Sequence, residues 1–191
     1  MLETEKSFYN ERLSDSQRER LIDIYQRAFK ESPIWQEDLT RETVRQRLNP
    51  QFIKPGFCLI VIEQQKQIAA ALWFDTPTLT ELEAERGKQL ADYAKQLPNF
   101  SSQIKIIWER EVIVAPESQR QGFAIALRQS FIELLKTNYP AGALILTRMR
   151  NNNIRIINGA EKCGYQRTGI ETDSNWRPPM KNSYWFKKIN F

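Results

Sequence analysis

Histidine is absent from the 191 residues. Without it a Ser-His-Asp or Cys-His hydrolase is excluded, and any proton transfer near neutral pH must use carboxylates, Tyr, Lys, Cys or water. Cysteine is nearly absent too. Cys58 and Cys163 fall in a predicted strand and near a predicted helix end, without metal-ligand spacing, so they read as core thiols and no metal is expected. No Gly/Ser-rich or Pro-rich stretch, internal repeat or low-complexity segment divides the chain, which predicts a single domain over residues 1–191. No apolar run approaches the roughly 20 residues needed to span a bilayer. The start MLETEKSFYN has no charged stretch followed by an apolar one. A cytoplasmic protein without a membrane partner is expected.

What is present is the composition of a packed globular chain, with 41% hydrophobic and 27% charged residues. The net charge of +5 suits an anionic partner, either RNA or a small phosphorylated cofactor. Arg148-Met149-Arg150 before three asparagines is the most basic hint of nucleic acid, but basic and acidic residues intermix along the chain, which argues against that partner.

Residues 7–12 form a candidate edge strand, and Ser14 with Gln17 has the spacing of a capping box. Leu21, Ile24, Tyr25, Ala28 and Phe29 then recur at helical spacing, up to a stop at Ser32-Pro33. A second helix is predicted over residues 36–48, ahead of the breakers Asn49-Pro50 and Pro55-Gly56. Residues 57–62 and 68–74 are β-rich apolar runs around a polar connection, a predicted antiparallel hairpin with buried strands. A helix over 78–97 follows, with Thr78 and Glu81 as its capping box and Gly87 weakening its middle.

Residues 103–116 read as a long strand and 123–138 as a helix with Phe123, Leu127, Phe131, Leu134 and Leu135 on one face. A short strand at 143–147 completes a β-loop-α-β unit. A helix at 153–162 ends at Gly164, and strands at 165–170 and 183–189 close the chain around Arg177-Pro178-Pro179. A hairpin first and a helical crossover later imply a mixed sheet with helices on both faces, an α/β (α+β) class.

The turn between the long strand and its helix carries the chemistry. In Gln119-Arg120-Gln121-Gly122-Phe123-Ala124 a helix opens around a glycine, where the first N–H groups lack intrahelical partners and meet the positive end of the dipole. Gly122 and Ala124 keep bulk away, Arg120 adds a cation able to pair with phosphate, and Gln119 adds a neutral donor. The same six residues also suit an ordinary strand-to-helix turn.

With Val114-Ala115-Pro116 before it, this loop resembles the acyl-CoA-binding motif Q/R-x-x-G-x-G/A, preceded by V-x-P, of the GNAT superfamily of N-acyltransferases. Asn153, eleven residues before Gly164-Tyr165, is similar to the start of the family's N-x-x-A-x-x-x-Y-x-x-x-G-F pattern. The element order also resembles the family's over nearly the whole chain, with the helix at about 78–97 as an addition. The resemblance implies a single GNAT-like domain with acetyl-CoA as acyl-donor cosubstrate. It further implies direct acetyl transfer, in a ternary complex, to a primary amine of a small molecule, peptide or protein. It assigns the backbone of Val112, Ile113 and Val114 to the pantetheine arm, Gln119, Arg120, Gln121, Gly122, Phe123, Ala124 and Ile125 to the pyrophosphate, and Asn153 to the border of the cofactor arm.

The chain departs from the pattern where chemistry is concerned. Ala160 stands where many members have a tyrosine acid, Ile156 replaces a small residue, and Arg148 occupies the position of a strand glutamate that serves as base in some members. Trp108-Glu109-Arg110-Glu111 offers two carboxylates instead, and alternation puts Glu109 and Glu111 on one face unless a bulge intervenes. Glu111 is the preferred catalytic base; surface ion pairing is the competing reading of both acids. Tyr165, Tyr184 and Asn158 are candidate donors to the leaving thiolate. Trp73, Trp108, Trp176, Tyr184 and Trp185 line an acceptor pocket or fill the core. The helix at 78–97 covers the acceptor site, forms a homodimer contact, or packs on its own domain. A non-catalytic acetyl-CoA-binding regulator is the alternative function.

Overall fold

The computed structural model describes residues 4–9, 13–30, 39–173 and 180–190. Among them are seven strands in one mixed sheet, together with six α-helices. The chain divides into two compact units, Met1–Asp75 with Glu111–Leu127, and Thr76–Arg110 with Arg128–Phe191.

In the first unit β1 (Thr4–Tyr9) pairs antiparallel with β2 (Cys58–Gln64), which pairs antiparallel with β3 (Gln67–Asp75). The expected hairpin zips further than its apolar runs suggest, because Gln65 and Lys66 adopt φ of 50° and 63° and close a two-residue turn. Arg20 ties that turn down, pairing with Glu63 and donating to the Lys66 carbonyl at 3.0 Å.

Helix α1 (Asp15–Lys30) opens with the expected capping box, Ser14 N–H to Gln17 Oε1 at 2.8 Å and Gln17 N–H to Ser14 Oγ at 3.3 Å. Helix α2 (Arg41–Phe52) is capped by the Thr40 hydroxyl and runs through Pro50 instead of stopping at Leu48. So near its end the proline removes little hydrogen bonding, while Phe52 anchors the last turn against Phe57 and Trp73, with ring centroids 5.7 and 6.0 Å away. Leu21, Ile24, Tyr25, Leu48 and Phe52 pack on one sheet face, over the cross-strand pairs Leu59↔Trp73 and Val61↔Ala71. Truncating Trp73, which is fully buried, would cost about 3–5 kcal/mol.

The second unit begins with α3 (Leu79–Arg86) and α4 (Lys88–Gln96), where the sequence predicts one helix. Gly87, at φ 92° and ψ 155°, turns the chain between them; the Thr78–Glu81 capping box is present. The strand order here is β4 (Lys105–Val114, its first part), β5 (Ala143–Arg150), β7 (Lys181–Ile189), β6 (Gln166–Asp173). β4 and β5 are parallel from Lys105↔Ala143 to Glu109↔Thr147, joined by α5 (Phe123–Asn138), the predicted β-loop-α-β unit. Helix α6 (Ile154–Lys162) precedes β6. The pair α3–α4 buries Leu82, Leu90 and Ala94 on the sheet face of Ile106, Trp108, Leu144 and Tyr184. It packs on its own unit.

Residues 10–12 of the expected edge strand, Ser32-Pro33, the start of the second predicted helix, Trp176 and Arg177-Pro178-Pro179 lie outside the described residues.

Candidate functional site

In the first unit, β4 leads through Ala115 into a short 3-10 turn, Pro116–Ser118, and then the Gln119–Ala124 loop. The Ala115 N–H donates to the Ala69 carbonyl at 2.9 Å, which fixes the exit from the sheet. Arg27 of α1 grips the turn from outside, its Nη1 lying 2.9 and 3.1 Å from the two Glu117 oxygens. That contact holds the Glu117 carboxyl below the usual carboxylate range.

Beyond it the loop alternates in handedness. Arg120 and Gly122 have φ of 65° and 82°, and Gln121 between them is not left-handed. Alternation of this kind turns successive N–H groups inward, as in an anion-binding nest. Gly122 is exposed, and a Cβ on it would meet nothing within 4 Å, so the space above its backbone is open. Its carbonyl accepts from the Ile125 and Ala126 N–H groups, both at 3.0 Å, which starts α5. The N–H groups of Phe123 and Ala124, ahead of these two bonds, then have no partner within the helix. Gln119, Arg120 and Gln121 are exposed, and Phe123, Ala124 and Ile125 partly so. Donors, one cation and no acid side chain within the loop fit a pyrophosphate.

Val112 and Val114 are partly exposed on β4, Ile113 is buried in the core of the first unit, and Glu111 is partly exposed.

In the second unit Asn153 caps α6, its Oδ1 accepting from the Ile156 N–H at 3.3 Å. A buried ionic group unforeseen in the sequence lies in the same unit. Glu109, Arg128 and Tyr165 are 2%, 1% and 3% exposed. Arg128 donates from Nη2 and Nε to Glu109 Oε1, at 2.7 and 3.2 Å, and from Nη1 to the Ile156 carbonyl at 3.4 Å. The Tyr165 hydroxyl donates to Glu109 Oε2 at 2.5 Å, and Thr147 Oγ1 donates to the Glu109 carbonyl at 3.0 Å. Burial and the Glu109 charge push Tyr165 well above its ordinary pKa. Burial acts to lower the Arg128 pKa, but the Glu109 carboxylate holds it above its ordinary value. The signal was Arg128 itself, one residue from Leu127 on the apolar face of α5.

Both Glu109 oxygens are thus engaged away from solvent, whereas Arg110, pointing oppositely, meets Glu85 at 3.1 Å. Ala160 is buried, Arg148 and Asn158 are exposed, and Tyr184 is buried with its ring centroid 6.1 Å from that of Trp108. Trp73, Trp108 and Trp185 are core residues rather than an open pocket. Cys58 and Cys163 are buried free thiols, as expected, and burial raises the Cys58 pKa to about 11. Among the described residues no cluster of metal ligands occurs and no helix is long and apolar enough to cross a membrane.

The arrangement has counterparts of known structure. The ribosomal-protein-S18-alanine N-acetyltransferase of Escherichia coli superposes with a TM-score of 0.64 at 14% identity, over 98% of this chain and 96% of that one. The ribosomal-protein-alanine N-acetyltransferase of Brucella melitensis gives 0.60 at 14%, over 95% and 98%. An acetyltransferase of the GNAT family from Streptococcus pneumoniae gives 0.61 at 12%, over 97% and 99%. No protein-family model and no curated protein matches the sequence. At these identities the likeness establishes the fold: this chain has the fold of the GNAT N-acetyltransferases.

Proposed function

We propose that the protein is an acetyl-CoA-dependent N-acetyltransferase, moving an acetyl group directly to a primary amine within a ternary complex. The observation that carries this reading is the Arg120-Gln121-Gly122 loop, left-handed at two positions, open above Gly122 and leading into α5. Gln119 to Ile125 hold the pyrophosphate, the backbone of Val112, Ile113 and Val114 the pantetheine arm, and Asn153 the border of that arm. Bound acetyl-CoA supplies the acyl group and a thiolate leaving group.

Glu111 takes the proton that the acceptor amine must lose to become a nucleophile. It is preferred to Glu109 because the latter is buried, whereas Glu111 is partly exposed on β4. The Tyr165 hydroxyl is already committed to Glu109 and Ala160 has no proton to give, which leaves Tyr184, Asn158 or water to protonate the thiolate. The acceptor class is a small-molecule, peptide or protein amine; the protein-alanine acetyltransferases among the structural neighbours favour keeping the last two.

The test is calorimetric titration with acetyl-CoA, then mixing with a panel of amines and peptide N-termini while following thiol release. Binding with turnover is expected. Binding without turnover across the panel favours a regulator that senses acetyl-CoA, the reading supported by Ala160 and Arg148 at the family's acid and base positions. No heat of binding discards both.

A further inference from the structure

The segment Trp108-Glu109-Arg110 is held from both sides of β4 by contacts that all lie within the second unit. On one face the Arg86 guanidinium carbon sits 4.5 Å from the Trp108 ring centroid, and Arg110, with a 7% exposed side chain, meets Glu85 of the same helix. On the other face the Glu109 carboxylate takes three hydrogen bonds, two from Arg128 and one from Tyr165. Its carbonyl takes a fourth, from the Thr147 hydroxyl, at the last residue pair of the β4–β5 ladder.

Stability alone does not account for such a group. Replacing a buried ion pair by apolar side chains of similar volume is often neutral or stabilising, because the charges lose their hydration. What the ionic group provides and an apolar filling does not is direction: three donors fix a carboxylate in place and in rotation, and with it the backbone that carries it. The residue fixed in this way stands two before Glu111 and three before Val112 on the same strand.

We infer that Glu109 is a positioning residue, whose anchorage by Arg128, Tyr165 and Thr147 sets the orientation in which β4 presents the Glu111 carboxylate. The inference rests on the acetyl-transfer reading for its chemical consequence but not for its structural one. The anchorage is made entirely by side chains of this protein, so amide exchange can read it without any ligand.

Two measurements on the full chain test this, with Tyr165→Phe and Thr147→Val, each removing one hydrogen bond, and Glu109→Gln, removing the charge. The first is amide hydrogen exchange without ligand. Exchange at residues 110–113 should quicken roughly tenfold in Tyr165→Phe, the effect of one lost hydrogen bond, while residues 59–62 of β2 keep their rates. The second is steady-state kinetics, where kcat should fall roughly tenfold to a hundredfold, with KM for acetyl-CoA within about twofold of the parent. Unchanged exchange at 110–113 in folded Tyr165→Phe and Thr147→Val overturns the inference, as does a uniform rise over the whole chain, which marks mere loss of stability. Full kcat in Glu109→Gln overturns it too. If the parent protein shows no turnover, the acetyl-transfer reading fails by itself, and the exchange rates alone decide the inference. If Glu109→Gln does not fold, the two single-bond variants carry the test.

Discussion

Arg128 directs two hydrogen bonds onto one oxygen of Glu109, and the two side chains are each 2% exposed. A carboxylate in that position is tolerable only while its cation is present. Arg128→Met should therefore destabilise the protein by about 3–5 kcal/mol, because Glu109 is left buried and unpaired. The double variant Glu109→Gln/Arg128→Met, with no charge to bury and an amide oxygen still able to accept from the Tyr165 hydroxyl, should recover most of that loss. Urea unfolding midpoints of the three proteins check both statements, and a double variant no better than Arg128→Met contradicts the account.

Gly122→Glu separates binding from folding. The left-handed backbone at 82° costs a non-glycine residue about 1–2 kcal/mol, and an added Cβ would meet nothing within 4 Å. Folding should therefore suffer little. Acetyl-CoA affinity should fall by at least roughly 100-fold, since juxtaposed like charges cost several kcal/mol. Calorimetry beside a thermal melt reads both quantities, and unchanged affinity in a folded variant refutes the placement of the pyrophosphate.

Glu111→Gln keeps the size and the strand while removing the base. Acetyl-CoA binding should match the parent, and kcat should drop by roughly 10²–10⁴, the usual contribution of a positioned proton acceptor. The residual rate should rise with pH as the free amine fraction grows. A variant with the parent's kcat transfers the role elsewhere.

Much of this architecture was legible because local chemistry and tertiary packing agree. The Ser14–Gln17 and Thr78–Glu81 capping boxes, the hairpin, and the strand, loop and helix around Gly122 each have short-range signatures that the fold keeps. Two features escaped for opposite reasons. Pro50 reads as a helix breaker, yet burial of Leu48 and Phe52 outweighs the loss of one late hydrogen bond. The Glu109–Arg128–Tyr165 group joins residues 19 and 56 positions apart, and no local pattern announces a pairing at that distance.

Gly87 provides a test confined to α3 and α4. At φ 92° and ψ 155° it occupies a region that is essentially reserved for glycine. A Cβ there would meet nothing within 4 Å, so Gly87→Ala should cost about 1–3 kcal/mol from the backbone alone. Acetyl-CoA affinity should stay at the parent value. Denaturation against titration of the same sample reads the two effects, and a variant as stable as the parent would mean that α3 and α4 merge into one helix without penalty.

Glu19 predicts how the first unit answers acid. Its carboxylate is held first by Arg45 and then by Arg41, with N···O distances of 2.8 to 3.1 Å, and its pKa falls from 4.5 to about 2. A carboxylate whose pKa is depressed on folding stabilises the native state fully above its unfolded value and loses that contribution as pH falls through the folded one. The stabilisation should thus be intact at pH 6 and fade between about 4.5 and 2. The side chain is 38% exposed, so salt screens the pair and the effect is modest. In Glu19→Gln the acid-dependent loss over this window should shrink relative to the parent, with the difference between the two proteins largest at pH 6 and nearly gone at pH 2. Thermal melts of both proteins at several pH values decide it, and parallel curves throughout would show that the two arginines do not select the charged form of Glu19.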